Sequence, residues 1–263
     1  MERQAYGFTI LELVTVIVIM LLLAALAIPT FNSVQEAFHL TNSTSQIASL
    51  LEQARAYAMA NNTFVWVAFK ETDAAQSPTE TPQLDGIGRI AILVVASRDG
   101  TRGYDVLNPA KSWSASYEKT NGSNLIIINK LTRFDNLHMA ASLGITPEKG
   151  PMGLEAGRED VGRFYRLGHP ACRSLTPINY PLGSNDRNSD TQYQFSKVLY
   201  FDPRGIARIQ YASNGDEIKE WMEIGLEATH ENLLPKETLD PSRGRKSAVQ
   251  IDCMTGSIRI YTP

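Results

Sequence analysis

The N-terminal segment constrains this chain more than any other part, because it is apolar over the length of a membrane-spanning helix. Residues 8–31 read FTILELVTVIVIMLLLAALAIPTF, and every residue from Leu13 to Ile28 is apolar except Thr15. A helix rises about 1.5 Å per residue, so roughly 20 apolar residues cross a hydrocarbon core about 30 Å thick. The segment therefore predicts a transmembrane helix.

Two other interpretations of the segment are weaker. A buried core helix is disfavoured because the segment is apolar on all faces and lies at the N-terminus. A cleaved secretory signal has an apolar region of roughly 7–15 residues behind basic residues, whereas this run is longer and follows MERQAYG. Ala24, Ala25 and Ala27 could mimic a signal-peptidase site, so both alternatives stay open.

One charged residue, Glu12, lies inside the apolar segment. A carboxylate there costs several kcal/mol unless it pairs, protonates or reaches the interface, so its presence indicates a function. Gly7, followed by the residues FTILE at 8–12, resembles the class III signal of type IV prepilins and pseudopilins.

The resemblance implies how the segment is processed and used. A prepilin peptidase would cut after Gly7 and methylate the amine of Phe8. Glu12 would then pair with the Phe8 amine of a neighbouring subunit in a helical filament. Pro29 stands where many pilins have a helix-kinking proline. The leader departs from the family pattern because a glutamate lies beside its arginine, which leaves a weak positive-inside signal.

Residues 32–62 continue the helix with an amphipathic pattern. Apolar side chains recur with helical spacing and form one stripe, which consists of Ile47, Leu50, Leu51, Ala54 and Ala58. The pair Asn61-Asn62 indicates the end of the helix, and the polar residues 41–45 predict a weak point or bend. We expect the stripe to pack on a sheet.

Beyond residue 62 the apolar period changes from about 3.6 residues to about 2, which predicts strands. Residues 144–192 are irregular enough to predict a surface insertion, with strand character only at 161–167. The other predicted strands are residues 63–69, 89–97, 125–131, 193–201, 206–211, 221–227, 247–253 and 257–261. The expected fold class is α+β, with a long N-terminal helix, transmembrane in its first half, packed on a β-rich antiparallel head.

The order of these elements narrows the resemblance. Residues 46–67, and the turns FDPRG at 201–205 and DCMTGSIR at 252–259, are similar to the H-type minor pseudopilin of type II secretion and to related minor pilins. The resemblance implies a pilin-like fold whose head has two small sheets. The implied domains are a leader at 1–7, a transmembrane or filament-core helix at 8–31, its continuation at 32–62 and a periplasmic head at 63–263.

Composition points to few other sites. The net charge of −3 shows no basic surplus for nucleic acid. Cys172 and Cys253 could form one disulfide in an exported head or remain two thiols. His169 and Cys172 could supply two metal ligands, and Asp186 with Asp190 could bind calcium, but ordinary loop residues are favoured in both cases. No catalytic motif occurs, so we expect no enzyme, no cofactor and no metal.

Three functions fit the sequence. The first is a minor pilin or pseudopilin, a structural subunit that enters a filament of other pilins. Its other partners would be prepilin peptidase, an inner-membrane assembly platform and, before assembly, membrane lipid. The expected location is the bacterial inner membrane, single-pass with the C-terminal head in the periplasm, and then the pilus or pseudopilus.

The second function is a DNA-binding minor pilin for DNA uptake, with phosphate contacts from Arg243, Arg245, Lys246 and Arg259. The third is a membrane-anchored periplasmic protein that never polymerises.

Overall fold

The computed structural model describes eight stretches of the chain. They are residues 9–102, 124–141, 164–170, 172–174, 177–182, 191–209, 220–234 and 246–261, with the side chains of 25–37 and 164–165 left out of the description. The chain divides into two compact units, Met1–His39 and Leu40–Pro263.

One helix, α1, runs from Ile10 to Ala60. Its end at Asn61-Asn62, predicted from the sequence, is confirmed. Asn62 adopts a left-handed φ of 49°, a conformation that asparagine tolerates better than most residues. The amide of Thr63 then donates a hydrogen bond to the carbonyl of Ala58 at 3.0 Å. These two features turn the chain directly into the first strand.

Eleven strands follow α1 within the described residues. They are β1 (Val65–Asp73), β2 (Gly88–Ser97), β3 (Leu125–Ala140), β4 (Phe164–Arg166), β5 (Ile178–Tyr180), β6 (Tyr193–Phe195), β7 (Lys197–Phe201), β8 (Ala207–Ile209), β9 (Trp221–Ala228), β10 (Lys246–Asp252) and β11 (Ile258–Tyr261). Nine of them form one sheet, in the order β11-β10-β9-β3-β2-β1-β7-β8, with β4 beside β9. The β4–β9 pair is parallel, whereas the other pairs are antiparallel. Strands β5 and β6 form a separate hairpin.

Strand β3 is longer than its sequence pattern predicts. The alternation of apolar residues suggests an end near Leu131, but the strand continues to Ala140. Asn136 has a positive φ of 57° and the register between β2 and β3 shifts near this point, so the alternation changes phase. The last four residues, Leu137 to Ala140, then pair with β9. Strand β3 thus joins the two halves of the sheet.

The predicted surface insertion at 144–192 is wrong for two described parts of it, although the strand character predicted at 161–167 agrees with the first of them. Residues 164–166 form β4, which extends the main sheet. Residues 178–180 form β5, and Ile178 is buried. Strand β5 left no visible period in the sequence, because three residues cannot establish an alternation.

The main core lies between the second part of α1 and one face of the sheet. Ile47, Leu51, Ala54 and Ala58 are fully buried there, with apolar side chains from β1, β2, β3 and β7 to β10. The predicted stripe is therefore confirmed for these four residues, while Leu50 is partly buried. Each fully buried leucine or isoleucine stabilises the fold by about 1.5–3 kcal/mol.

The bend predicted at residues 41–45 is wrong, because α1 continues through them. Thr44 is fully buried, and its hydroxyl donates to the carbonyl of Leu40 at 2.7 Å. The hydroxyl of Ser247 on β10 lies 2.6 Å from the same oxygen. Since the single proton of Thr44 is already donated, Ser247 is the donor of this second bond. A tertiary partner therefore compensates for the polarity that suggested a weak point.

A second core covers part of the opposite face of the sheet. The β5–β6 hairpin contributes Ile178, Tyr193 and Phe195, which pack with Trp66 of β1 and Tyr200 of β7. The rings of Tyr193 and Phe195 are stacked with centroids 5.7 Å apart. The central strands β1 and β2 are consequently buried on both faces, which explains their nearly continuous apolar sequences.

The fold class and location expected from the sequence are wrong for the described structure. The protein is mainly an antiparallel β fold with one nine-stranded sheet, not an α+β fold with a head of two small sheets and a half-transmembrane helix. Among the residues that the structure describes, no helix combines the length and the apolarity that crossing a membrane requires. The predicted single-pass inner-membrane anchor is corrected accordingly.

Candidate functional site

The start of α1 is closed by a reciprocal pair of side chains, Thr9 and Glu12. The carboxylate oxygen Oε2 of Glu12 accepts the Thr9 backbone N–H at 3.0 Å and the Thr9 hydroxyl at 2.9 Å. In return, the backbone N–H of Glu12 donates to the Thr9 hydroxyl oxygen at 3.3 Å. This arrangement is a capping box, in which residues at the N-cap and N3 positions satisfy the free amides of the first turn.

The capping box gives Glu12 a local role that the sequence interpretation missed. The two hydrogen bonds, first that from the Thr9 amide and then that from the Thr9 hydroxyl, hold the pKa of Glu12 below its usual value. The signal for this role is present in the sequence, since Thr9 and Glu12 have the Thr-x-x-Glu spacing of a capping box. Thr9 is therefore the functional candidate that the sequence interpretation left out.

The other polar residue of the apolar segment is also satisfied within α1. The hydroxyl of Thr15 donates to the carbonyls of Leu11 and Glu12, at 3.0 and 2.9 Å. Such bonds allow a threonine to lie in an apolar helix without an outside partner.

An exposed apolar surface surrounds the first part of α1. Its large side chains all face outward: Ile10, Leu11, Leu13, Val14, Val16, Ile17, Val18, Ile19, Met20, Leu21, Leu22 and Leu23. A surface of this kind is unusual on a monomer and marks a site of interaction. Because the exposure extends around the helix, one flat partner could not cover it. Several neighbouring molecules arranged around the helix could cover this surface.

The predicted N-terminal site also includes Gly7, Phe8 and Pro29, which the structure describes in part or not at all. Gly7 and Phe8 lie outside the described residues, so the predicted cleavage and the pairing of Glu12 with a Phe8 amine stay predictions. Pro29 lies within the range of α1, but its side chain is among those left out.

Cys172 and Cys253 are both buried in the main core. The structure contains them as thiols and not as a disulfide, so the possible pairing has no support from it. Burial raises the pKa of Cys172 to about 11, although the nearby Lys197 acts in the opposite direction. Because only the thiolate reacts efficiently, a thiol of this kind is chemically inert at neutral pH.

Lys197 has a structural role beside Cys172. Its ammonium group donates to the carbonyls of Leu167, Gly168 and His169, at 2.9, 3.1 and 3.0 Å. Burial lowers the pKa of Lys197, but three carbonyl acceptors satisfy all of its protons. The turn that contains His169 is thus held by a lysine. Within the described residues no group of three metal-ligating side chains exists, and Asp186 and Asp190 lie outside them.

The predicted nucleic-acid residues are not brought together in the described structure. Lys246 is buried on β10, and its ammonium lies 3.7 Å from the carboxylate of Glu227. The prediction that Lys246 contacts phosphates is therefore wrong, because its charge is already paired inside the fold. Arg259 is exposed on the edge strand β11. Arg243 and Arg245 lie outside the described residues.

Comparison with known proteins found two similar fimbrial proteins, both from Pseudomonas aeruginosa. Each is 33% identical to this chain over 96 residues, which cover 36% of the chain and 62% of the relative. The match thus spans less than two thirds of the length of these relatives. It suggests a pilin-like family without identifying an H-type pseudopilin. No family model matches the chain, and no solved structure does.

Proposed function

We propose that this chain is a structural subunit of a pilin-type filament, specifically a minor pilin or pseudopilin that assembles through the first part of α1. The observation that carries the proposal is the exposed apolar surface from Ile10 to Leu23. A helix that is apolar all round needs apolar surroundings, and a bundle of identical or related helices supplies them. The similarity to fimbrial proteins supports the same interpretation.

Glu12 has two roles in this proposal. In the isolated subunit its carboxylate is satisfied by Thr9. In the filament it would pair with the amine of a neighbouring Phe8, after a prepilin peptidase has cut behind Gly7 and methylated that amine. Contact with an assembly platform belongs to the same proposal. The chain would act by assembly and would catalyse no reaction.

Two substitutions separate the charge of Glu12 from its capping role. Glu12→Gln keeps a capping side chain at the N3 position, because glutamine also completes a capping box, but it removes the charge. Thr9→Ala removes the cap and keeps the charge. If the charge drives assembly, Glu12→Gln should lose incorporation into filaments, whereas Thr9→Ala should retain most of it.

The measurement is the fraction of the full chain recovered in sheared filaments from its host, by immunoblot. Glu52→Gln, an exposed change on the same helix, is the matched control and should incorporate normally. Mass spectrometry of the mature N-terminus should find methylated Phe8 in all variants. Normal incorporation of Glu12→Gln would refute the assembly role of the charge, and an intact Met1 would refute processing.

A further inference from the structure

One exposed surface of the unit Leu40–Pro263 combines arginine with methionine. It lies where the last turns of α1 meet the β7–β8 and β10–β11 turns. A side chain added at Gly205 would come within 2.8 Å of the sulfur of Met59, and one added at Gly256 within 2.7 Å of Nε of Arg55. Met59 and Met254 are exposed there. We call Met59, Arg204 and Met254, together with the half-buried Arg55 beside them, the arginine–methionine surface.

At this surface Arg204 presents its positive charge to solvent. Arg204 is paired with Asp202, but the guanidinium side chain is 74% exposed and the carboxylate side chain only 7%. The carboxylate is turned inward, where it accepts the backbone N–H groups of Arg204 and Ile206 at 2.8 and 3.0 Å. The cation is therefore the outer member of the pair.

A second exposed surface has the opposite character. Leu84 and Leu233 are exposed, and Asp85 and Asp135 lie on the same end of the sheet. The loops that carry them are in contact, since a side chain added at Gly88 would meet the carbonyl of Glu231, and the Glu231 amide donates to the side chain of Asn136 at 3.2 Å. We call Leu84, Asp85, Asp135 and Leu233 the leucine–carboxylate surface.

The second surface presents negative charge to solvent, because the carboxylate is the exposed member of each of its two ion pairs. Asp85 is paired with Lys70, and the side chains are 86% and 11% exposed. Asp135 is paired with Arg89, and the side chains are 61% and 7% exposed. In both pairs the cation is inside and the carboxylate outside.

The two surfaces lie at opposite ends of β1. Val65 at its start pairs with Phe201, next to Asp202, and Asp73 at its end pairs with Gly88. A nine-residue strand with about 3.3 Å per residue separates them by roughly 26 Å. They cannot satisfy each other within one subunit.

We propose that the arginine–methionine surface of one copy docks on the leucine–carboxylate surface of the next. The proposal rests on the proposed function and names the contact between heads that would accompany the packing of helices. Opposite charges steer such a contact and set its register, and flexible methionines pack against leucines without precise shape. Because the two surfaces differ, the contact is head-to-tail and can propagate in one direction, as a filament requires.

The test measures self-association of the full chain in neutral detergent, which covers the apolar part of α1, by sedimentation velocity. Wild type should associate with rising concentration, and less as the salt concentration rises from about 0.01 M to about 0.15 M, since the Debye length then shortens from about 30 to about 8 Å. Met254→Asp places an acid opposite acids, and Leu84→Arg places a cation opposite cations. Each should weaken association by about tenfold or more.

Combining the two changes in one chain makes the surfaces complementary again and should restore association. Ile127→Asp, at an exposed apolar position on β3, is the matched control and should behave as wild type. The proposal is overturned if wild type does not associate at low salt, if Met254→Asp associates like wild type, or if the double variant stays as weak as the single ones. If the chain enters filaments without this association, the docking proposal fails and the proposed function stands. If the chain associates but does not enter filaments, the docking proposal stands and the proposed function fails.

Discussion

A buried carboxylate on β9 provides a sharp test of how the sheet is held together. Glu223 is fully buried. Its Oε1 accepts the Nε–H of Arg166 on β4 at 2.7 Å, and Nη2 of the same guanidinium lies 2.7 Å from that oxygen. Its Oε2 accepts the side-chain amide of Gln250 at 3.2 Å. These contacts tie the short parallel strand β4 to β9 and β10.

Replacing the arginine removes the only cation among these partners. Among the partners that the described residues supply, Arg166→Met leaves the buried carboxylate with the Gln250 amide. Removing one partner of a buried ion pair costs about 3–5 kcal/mol, because the remaining charge stays desolvated. The double variant Arg166→Met/Glu223→Gln should recover most of this loss, since the buried group is then neutral and its oxygen can still accept from Gln250.

Urea titration of the full chain in neutral detergent, followed by the fluorescence of its three tryptophans, measures the free energy of unfolding. With a slope of about 1–3 kcal/mol per molar urea, a loss of about 3–5 kcal/mol should lower the midpoint of Arg166→Met by roughly 1–5 M. Arg204→Met is the matched control, because its pair with Asp202 has an exposed guanidinium and should cost about 0–1 kcal/mol. An equal effect of the two substitutions would refute the argument from burial.

Two further predictions concern a turn and a thiol. Gly256→Ala should cost about 2 kcal/mol or more of unfolding free energy, because φ is +69° and the added carbon would lie 2.0 Å from the Gly205 carbonyl oxygen. The control is Gly100→Ala, where φ is +74° and the nearest atom would lie 3.4 Å away. It should lose clearly less unfolding free energy in the same urea titration. Cys172 should react slowly with iodoacetamide near neutral pH in the folded chain and rapidly in urea, since burial raises its pKa to about 11. Its folded pKa lies above the ordinary 9.0, so the protein should lose stability as the pH rises from about 9 to about 11, and rapid labelling of folded protein at neutral pH would contradict this.

Several elements could be predicted because their signal is local. The stripe at Ile47, Leu51, Ala54 and Ala58 repeats with the period of a helix, and each member is buried. The apolar run at residues 89–97 corresponds to β2. In such elements every residue contributes to one period, so neighbours in sequence carry the whole signal.

The elements that could not be predicted depend on partners far away in the chain. Strand β5 has three residues and exists because it pairs with β6 and buries Ile178. The continuation of β3 beyond Asn136 depends on pairing with β9. The polar residues around Thr44 suggested a bend, but Ser247 supplies a bond from 203 positions away. The local sequence pattern contains no signal of contacts between residues so far apart in the chain.

The candidate site also has some features that the local sequence determines and others that only the tertiary structure determines. The apolar segment, Glu12 and its spacing from Thr9 are properties of consecutive residues, and they are sufficient to indicate a capped helix that needs apolar neighbours. Only the folded head decides which charges are inside and which outside. Lys246 belongs to a basic cluster in the sequence but is buried against Glu227, whereas Arg204 projects its charge to solvent. The physical reason is that burial depends on what packs over a side chain, and that is determined by the tertiary structure.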